Sequence, residues 1–263
     1  MKNKVVVTLD LDGTLLAHGN EILGGEKTMA CLNELVAMGV AIVINTGRLD
    51  HDILAIQNGY HLPIAARVSQ NGCVVIDDES VQASIMDKTE AQLVWKELRV
   101  TTEIRTEVNT VSNRCWLSPR GPKLPKEYYD SHLLKADFTE FIDNQPCTLF
   151  LCLGDSEKLE KVRNFVKANC QTLQAVMTSK KSLEIYKQGI SKGATISKLF
   201  NDSYIYGIGD SENDFSVFDV SNQAFCVREE TVHPKAQNVA RIDDALMMIK
   251  EDILHENRLT SPR

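Results

Sequence analysis

The chain has 263 residues, 43% hydrophobic and 25% charged, the proportions of an ordinary soluble globular protein long enough to bury a substantial core. A formal net charge of −7 and a pI near 5.4 exclude a global basic field that would gather nucleic acid or anionic lipid, and leave room only for a local cationic pocket. The seven cysteines form no C-x-x-C pair, which argues against a disulfide framework or a zinc site, and no 18-residue apolar run or signal-type segment occurs, so a cytoplasmic protein with no membrane contact is expected.

Taken in chain order, residues 5–9 are a short, β-branched apolar run that predicts a strand covered on both faces. A helix is predicted over 26–38, with Met29, Leu32, Leu35 and Val36 on one stripe and Gly39 in the stop position. A second buried strand follows over 40–44, then a helix running to residue 57. This alternation predicts a parallel α/β sheet with right-handed crossovers. From about residue 81 the rhythm becomes irregular. A helix over 90–99, an alternating stretch over 101–111, a Pro/Gly-punctuated loop over 117–130 and a strand over 147–153 come first. A charged helix over 156–169 and strands over 173–177 and 183–186 complete this part. It predicts a smaller α+β domain, 82–187, inserted into an α/β core formed by 1–81 and 188–263. The core pattern resumes with a helix over 191–200 and strands over 204–208 and 224–227. Helices are predicted over 231–237 and 243–255.

Three of the core strands end at polar loops: Asp10 and Asp12, then Asn45-Thr46-Gly47-Arg48, then 209–214 with Asp210 and Asp214. Ligands of open α/β sheets bind at the carboxyl ends of the strands, so neighbouring strands would gather these loops in one crevice. Carboxylates about 4 Å apart repel by about 4 kcal/mol at an effective dielectric near 20, so such a cluster needs a cation or protons. Oxygen donors without His or Cys suit a hard ion such as Mg2+. One acid of the D-x-D pair can attack phosphorus while the other protonates the leaving oxygen and later activates water. Amides at the Gly13 turn, the Thr46 hydroxyl and the Lys192 ammonium can bind phosphate oxygens. An EF-hand starting at Asp10 fails, because Leu15 stands where the loop needs glycine. A dinucleotide fingerprint at 207–212 fails at Glu212, and no Walker motif occurs.

The ordered series "DLDGTLL", "NTGR", "GISKG" and "GDSENDFSVF" resembles the four motifs of the haloacid dehalogenase superfamily, most closely its Cof-type phosphatases with a large cap (type IIB). "VSQNGCVVID" and "SLEIYKQGISKG" are similar to segments flanking that cap. The resemblance implies a Rossmann-like core with an inserted specificity cap, and a Mg2+-dependent phosphatase for small phosphorylated metabolites such as sugar phosphates, acting through an aspartyl-phosphate. It implies Asp10 as nucleophile and Asp12 as general acid/base. Thr46, Gly47, Lys192 and Asn213 would bind phosphate. Asp210 would complete the Mg2+ site with the Asp10 carboxylate and the Asp12 backbone carbonyl, and Asp214 would orient the metal or Lys192. A monomer or homodimer is expected.

Two features depart from the family pattern. "FCVREET" (225–231) replaces a glycine-containing segment, placing Arg228 and Glu229 at the rim, and Asn45 replaces a commoner small residue. Arg114, Arg120 and Lys123 are read as solvated loop charges rather than grips for a second anionic group. Trp95 and Trp116 are read as packing residues, and Glu184 as a strand-edge acid. A phosphomutase on the same core is the alternative enzyme. A non-catalytic phosphate-binding protein is disfavoured by the presence of Asp10, Asp12, Lys192 and Asp210 together.

Overall fold

A computed structural model describes residues 4–119, 132–228 and 230–255. Arg120, Lys123 and Glu229 lie outside these residues. The chain forms two compact units, Met1–Val81 with Ser191–Arg263, and Gln82–Ile190.

The first unit opens with β1 (Val5–Leu9), α1 (Gly25–Ala37), β2 (Ala41–Asn45), α2 (Asp50–Tyr60), β3 (Ala66–Ser69) and β4 (Val74–Asp77), and β5 (Val81–Ala83) follows at the chain boundary between the units. The second contains α3 (Lys88–Val100), β6 (Arg105–Thr110), β7 (Arg114–Trp116), β8 (His132–Leu134), α4 (Thr139–Asn144), β9 (Cys147–Leu153), α5 (Ser156–Asn169), β10 (Leu173–Ser179) and β11 (Ser182–Lys187). The chain then returns through α6 (Lys192–Leu199), β12 (Tyr204–Gly209), α7 (Phe215–Val220), β13 (Gln223–Cys226), β14 (Ala236–Asn238) and α8 (Ile242–His255).

The core sheet has the order β14-β13-β12-β1-β2-β3-β4-β5. Pairing is parallel from β14 to β3, and β4 turns back antiparallel to β3. Val7 sits opposite both Tyr206 and Ile42, so β1 is central. All five of its residues, Thr8 included, are buried, as expected of a strand whose two faces are covered by helices. Leu32 and Leu35 of α1 pack with Leu246, Ile249 and Ile253 of α8 against one face. Ile196 and Phe200, at α6, pack with Val6, Val43 and Val68 against the other. This central position carries the carboxyl end of β1 between those of β2 and β12.

The core departs from the pattern reading most clearly at β14 and at β3 with β4. The helix predicted over 231–237 does not form; Ala236–Asn238 instead pairs in parallel with β13, with Ala224 opposite Ala236. Pro234 has no N–H and disfavours helical backbone at His233, which stops a helix there. Strands β3 and β4 were not predicted. Their residues are short runs joined by a tight turn at Gln70–Gly72, in which Gln70, Asn71 and Gly72 all have positive φ.

The second unit is a six-stranded sheet, β10-β11-β9-β6-β7-β8, with helices on one face. Val108, Phe150, Cys152, Leu183 and Ile185 pack with Trp95, Leu98, Phe138, Leu159 and Val162. Alternate positions present Glu107, Asn109 and Glu184 to the opposite face, all buried. Arg114 is buried in β7, where its Nε donates to Asn109 Oδ1 at 2.9 Å and lies 3.8 Å from Glu107 Oε2, so it is not a solvated loop charge. Glu184 occupies an internal strand rather than an edge. Trp95 packs edge-on against Phe138, and the Arg105 guanidinium lies over Trp116. None of the seven cysteines forms a disulfide, and six of them are buried.

Candidate active site

The loop after β1 places two acids in opposite environments. Asp10 continues the strand, its N–H donating to Ile208 O at 3.1 Å, and its side chain is 5% exposed. Gly13 then takes φ +79°, a conformation costly for any residue with a Cβ, and a Cβ there would lie 2.6 Å from Asp210 Oδ2. The turn leaves the Asp12 carboxylate 58% exposed. Arg48, in the loop after β2, grips it with both arms: Nε donates to Oδ2 at 2.8 Å and Nη2 to Oδ1 at 2.5 Å.

Asp10 meets Lys192. The ammonium donates to Asp10 Oδ1 at 2.9 Å and to Asp214 Oδ1 at 2.8 Å, with only 1% of the side chain exposed. Several contacts hold Lys192 at the first turn of α6. The Ser191 hydroxyl oxygen accepts from the Ala194 N–H at 3.0 Å as an N-cap, and Asn45 Nδ2 donates to Lys192 O at 3.2 Å. Gly193 admits the Ser216 carbonyl where any Cβ would collide with it. The unusual Asn45 therefore has a structural use, linking the end of β2 to the residue that carries the ammonium.

The loop after β12 supplies the third part. Asp214 Oδ2 accepts from the N–H groups of Asp210 and Ser211 at 3.0 and 3.3 Å, while Oδ1 receives Lys192. Asp214 thus shapes the loop and orients the lysine together. Asn213 is exposed, its Oδ1 accepting from the Ser211 hydroxyl at 2.6 Å. Asp210 is buried, and Arg228 Nη2 lies 3.0 Å from its Oδ2. Thr46 is buried in the loop after β2, its N–H bonded to Val68 O and its Oγ1 accepting from the Arg48 N–H at 3.3 Å. Gly47 lies close to the Asn71 amide, where a Cβ would be 3.2 Å from Oδ1.

Among the described residues, Asp10, Asp210 and Asp214 form a group whose ligand oxygens all lie within 4.8 Å of one another. Burial pushes the Asp10 carboxyl up to about 7, against the lowering by Lys192 and with Asp214 adding to the rise. Burial likewise raises Asp210, with Asp214 adding to it and Arg228 opposing. Burial works against the charge of Lys192, but Asp10 and Asp214 outweigh it and hold the ammonium above the ordinary lysine range. Three buried carboxylates, with Asp10 and Asp210 resisting ionisation and oxygen donors only, suit a hard divalent cation. The carboxylates of Asp10 and Asp210 belong to this group; that of Asp12 does not, and points to Arg48.

The sequence model of the haloacid dehalogenase-like hydrolases matches residues 7–243, spanning every residue of this cluster. The chain belongs to that family. The haloacid dehalogenase-like chain is 26% identical over 250 residues to 5-amino-6-(5-phospho-D-ribitylamino)uracil phosphatase YwtE of Bacillus subtilis (strain 168), covering 82% of this chain and 84% of that protein. Its fold matches a haloacid dehalogenase-like hydrolase from Bacteroides thetaiotaomicron with a TM-score of 0.79 at 20% identity, over 93% of this chain and 99% of the other. It also matches the subclass IIB sugar phosphatase BT4131 with a TM-score of 0.74 at 19% identity, over 97% and 99% of the two chains. The family match therefore spans the loops at the carboxyl ends of β1, β2 and β12. Two partners went unassigned in the motif reading. Arg48 was legible only as a loop residue and Arg228 only as rim bulk, since neither ion pair follows from local spacing.

Proposed function

We propose that the chain is a Mg2+-dependent phosphatase for small phosphorylated metabolites, sugar phosphates foremost, acting through an aspartyl-phosphate. The observation that carries this reading is the division of the D-x-D pair: Asp10 is buried on Lys192 within the acidic group, while Asp12 is exposed and held by Arg48. A dry, charge-bound carboxylate suits nucleophilic attack, and an exposed, oriented one suits proton exchange with a leaving group or water.

In the proposed reaction an Asp10 oxygen attacks phosphorus as the bond to the leaving oxygen breaks. Asp12, in its protonated form, gives its proton to that oxygen. The Asp12 carboxylate then takes a proton from water, which attacks the phosphoryl group and releases inorganic phosphate and free Asp10. Lys192, the Thr46 hydroxyl and the backbone of the Asp12–Gly13 and Gly47 turns are assigned to the phosphoryl oxygens, with Asn213 beside them. Asp10 and Asp210, with the Asp12 carbonyl, are assigned to the metal, and Asp214 to positioning Lys192. Bound Mg2+ would neutralise these carboxylates and stabilise charge on the phosphoryl oxygens. Substrate choice is assigned to the inserted unit. The activity named for YwtE and for BT4131 supports a phosphorylated sugar or sugar-like substrate.

The test is phosphate release from a panel of phosphorylated metabolites, with Mg2+ and with chelator, beside Asp10→Asn. Release that needs Mg2+ and vanishes in the variant is expected. Activity retained in Asp10→Asn would refute the nucleophile. Sugar-phosphate interconversion without free phosphate would replace the phosphatase by a mutase.

A further inference from the structure

The acidic group has two basic partners, and they are built differently. Lys192 is sealed in, 1% exposed, and hydrogen-bonds Asp10 and Asp214. Arg228 pairs with the remaining acid, Asp210, and its side chain is 51% exposed while that of Asp210 is 6% exposed. The acid cannot leave the site, whereas the half-exposed Arg228 side chain has room to swing into water.

We propose that Arg228 is a tethered stand-in cation: it neutralises Asp210 until the divalent ion arrives, and the ion binds by displacing it. This inference rests on the reading of Asp210 as a metal ligand. The backbone around Arg228 is laced to the same strand ends. Asn238 Nδ2 donates to Arg228 O at 2.8 Å, the Cys226 thiol faces that oxygen at 3.5 Å, and the Thr231 hydroxyl donates to Asp210 O at 2.9 Å. The Val227 N–H also bonds Gly209 O at 2.9 Å. The Arg228 Cα is therefore anchored beside Asp210, and only its side chain has to move.

The physical consequence is competition. A guanidinium and a divalent ion on one carboxylate repel each other at close range, so the ion must break the Arg228–Asp210 pair and keep the guanidinium away. Without metal, the same pair relieves a buried carboxylate of uncompensated charge. Arg228 thus trades metal affinity for stability of the metal-free protein, and sets the metal concentration at which the site fills.

The experiment is calorimetric titration of Mg2+ into chelator-stripped protein, with melting of each protein measured at zero and saturating Mg2+. Arg228→Gln is expected to bind Mg2+ about tenfold more tightly, the weight of one charge-assisted hydrogen bond. It is expected to melt lower than the wild type without metal, the gap closing at saturation. Arg228→Lys, which keeps the charge, is expected to stay near the wild-type affinity. Equal or weaker binding in Arg228→Gln would overturn the proposal, as would equal tightening in both variants, since shape rather than charge would then decide. Absence of Mg2+ binding in every protein would overturn the metal site itself, and this proposal with it.

Discussion

Replacing Lys192 by methionine keeps most of the side-chain volume and removes the one ammonium that Asp10 and Asp214 share. Both carboxylates stay buried, 5% and 2% exposed, and cannot recover the lost charge from water. Breaking a buried pair by removing one partner costs roughly 3–5 kcal/mol. At about 2–4 °C per kcal/mol for a protein of this size, the core should melt roughly 6–20 °C lower. The assay is thermal unfolding of both proteins in chelator at several pH values. The sign of the pH effect is fixed by Asp10, whose carboxyl burial already pushes up to about 7. A raised acid contributes stability that is full below its unfolded value near 3.8 and is lost as pH rises through the folded value. Loss of the ammonium raises Asp10 further, so the deficit of Lys192→Met should widen as pH rises above about 7, where the wild-type carboxyl ionises and the variant's still resists. Activity should fall by about a thousandfold, the scale of losing a group that binds the transferring phosphoryl oxygens. Melting within a degree or two of wild type at pH 7 would refute the claim that Lys192 neutralises this cluster.

Two further outcomes are expected. Gly13→Ala forces a Cβ into positive φ and against Asp210, and should lower stability by about 1–2 kcal/mol and activity by more than tenfold; urea unfolding with wild-type activity would contradict the packing argument. Asp243 lies at the start of α8, where Arg241 first and Lys27 second hold its carboxyl down to about 2. A depressed acid contributes stability above its unfolded value, lost as pH falls through the folded one. Asp243→Asn should therefore cost on the order of 1 kcal/mol near pH 6, reduced by the solvent exposure of both basic partners. The difference should disappear between about pH 4 and 2 in urea titrations, and a pH-independent difference would assign the loss to packing instead.

Local pattern determined a good deal of this protein. The apolar runs at β1, β2 and β12 marked buried parallel strands, and the acids and small residues just after them marked the loops of a site. Each signal lies within a few residues, where backbone propensity and burial act. The short β3, β4 and β14 carried no such signal, because three or four residues cannot declare a period. At β14 only pairing with β13, after Pro234 had stopped a helix, decided the structure. The side-chain partnerships were decided by tertiary structure alone. Lys192 reaches Asp10 across 182 residues, Arg48 reaches Asp12 across 36, and Asn45 ties β2 to α6 across 147. Parallel pairing places the ends of β2, β1 and β12 side by side whatever their distance in sequence, and that adjacency is a property of the sheet. The same adjacency separated Asp10 from Asp12: one turn at Gly13 sends the first to a buried lysine and the second to water and Arg48.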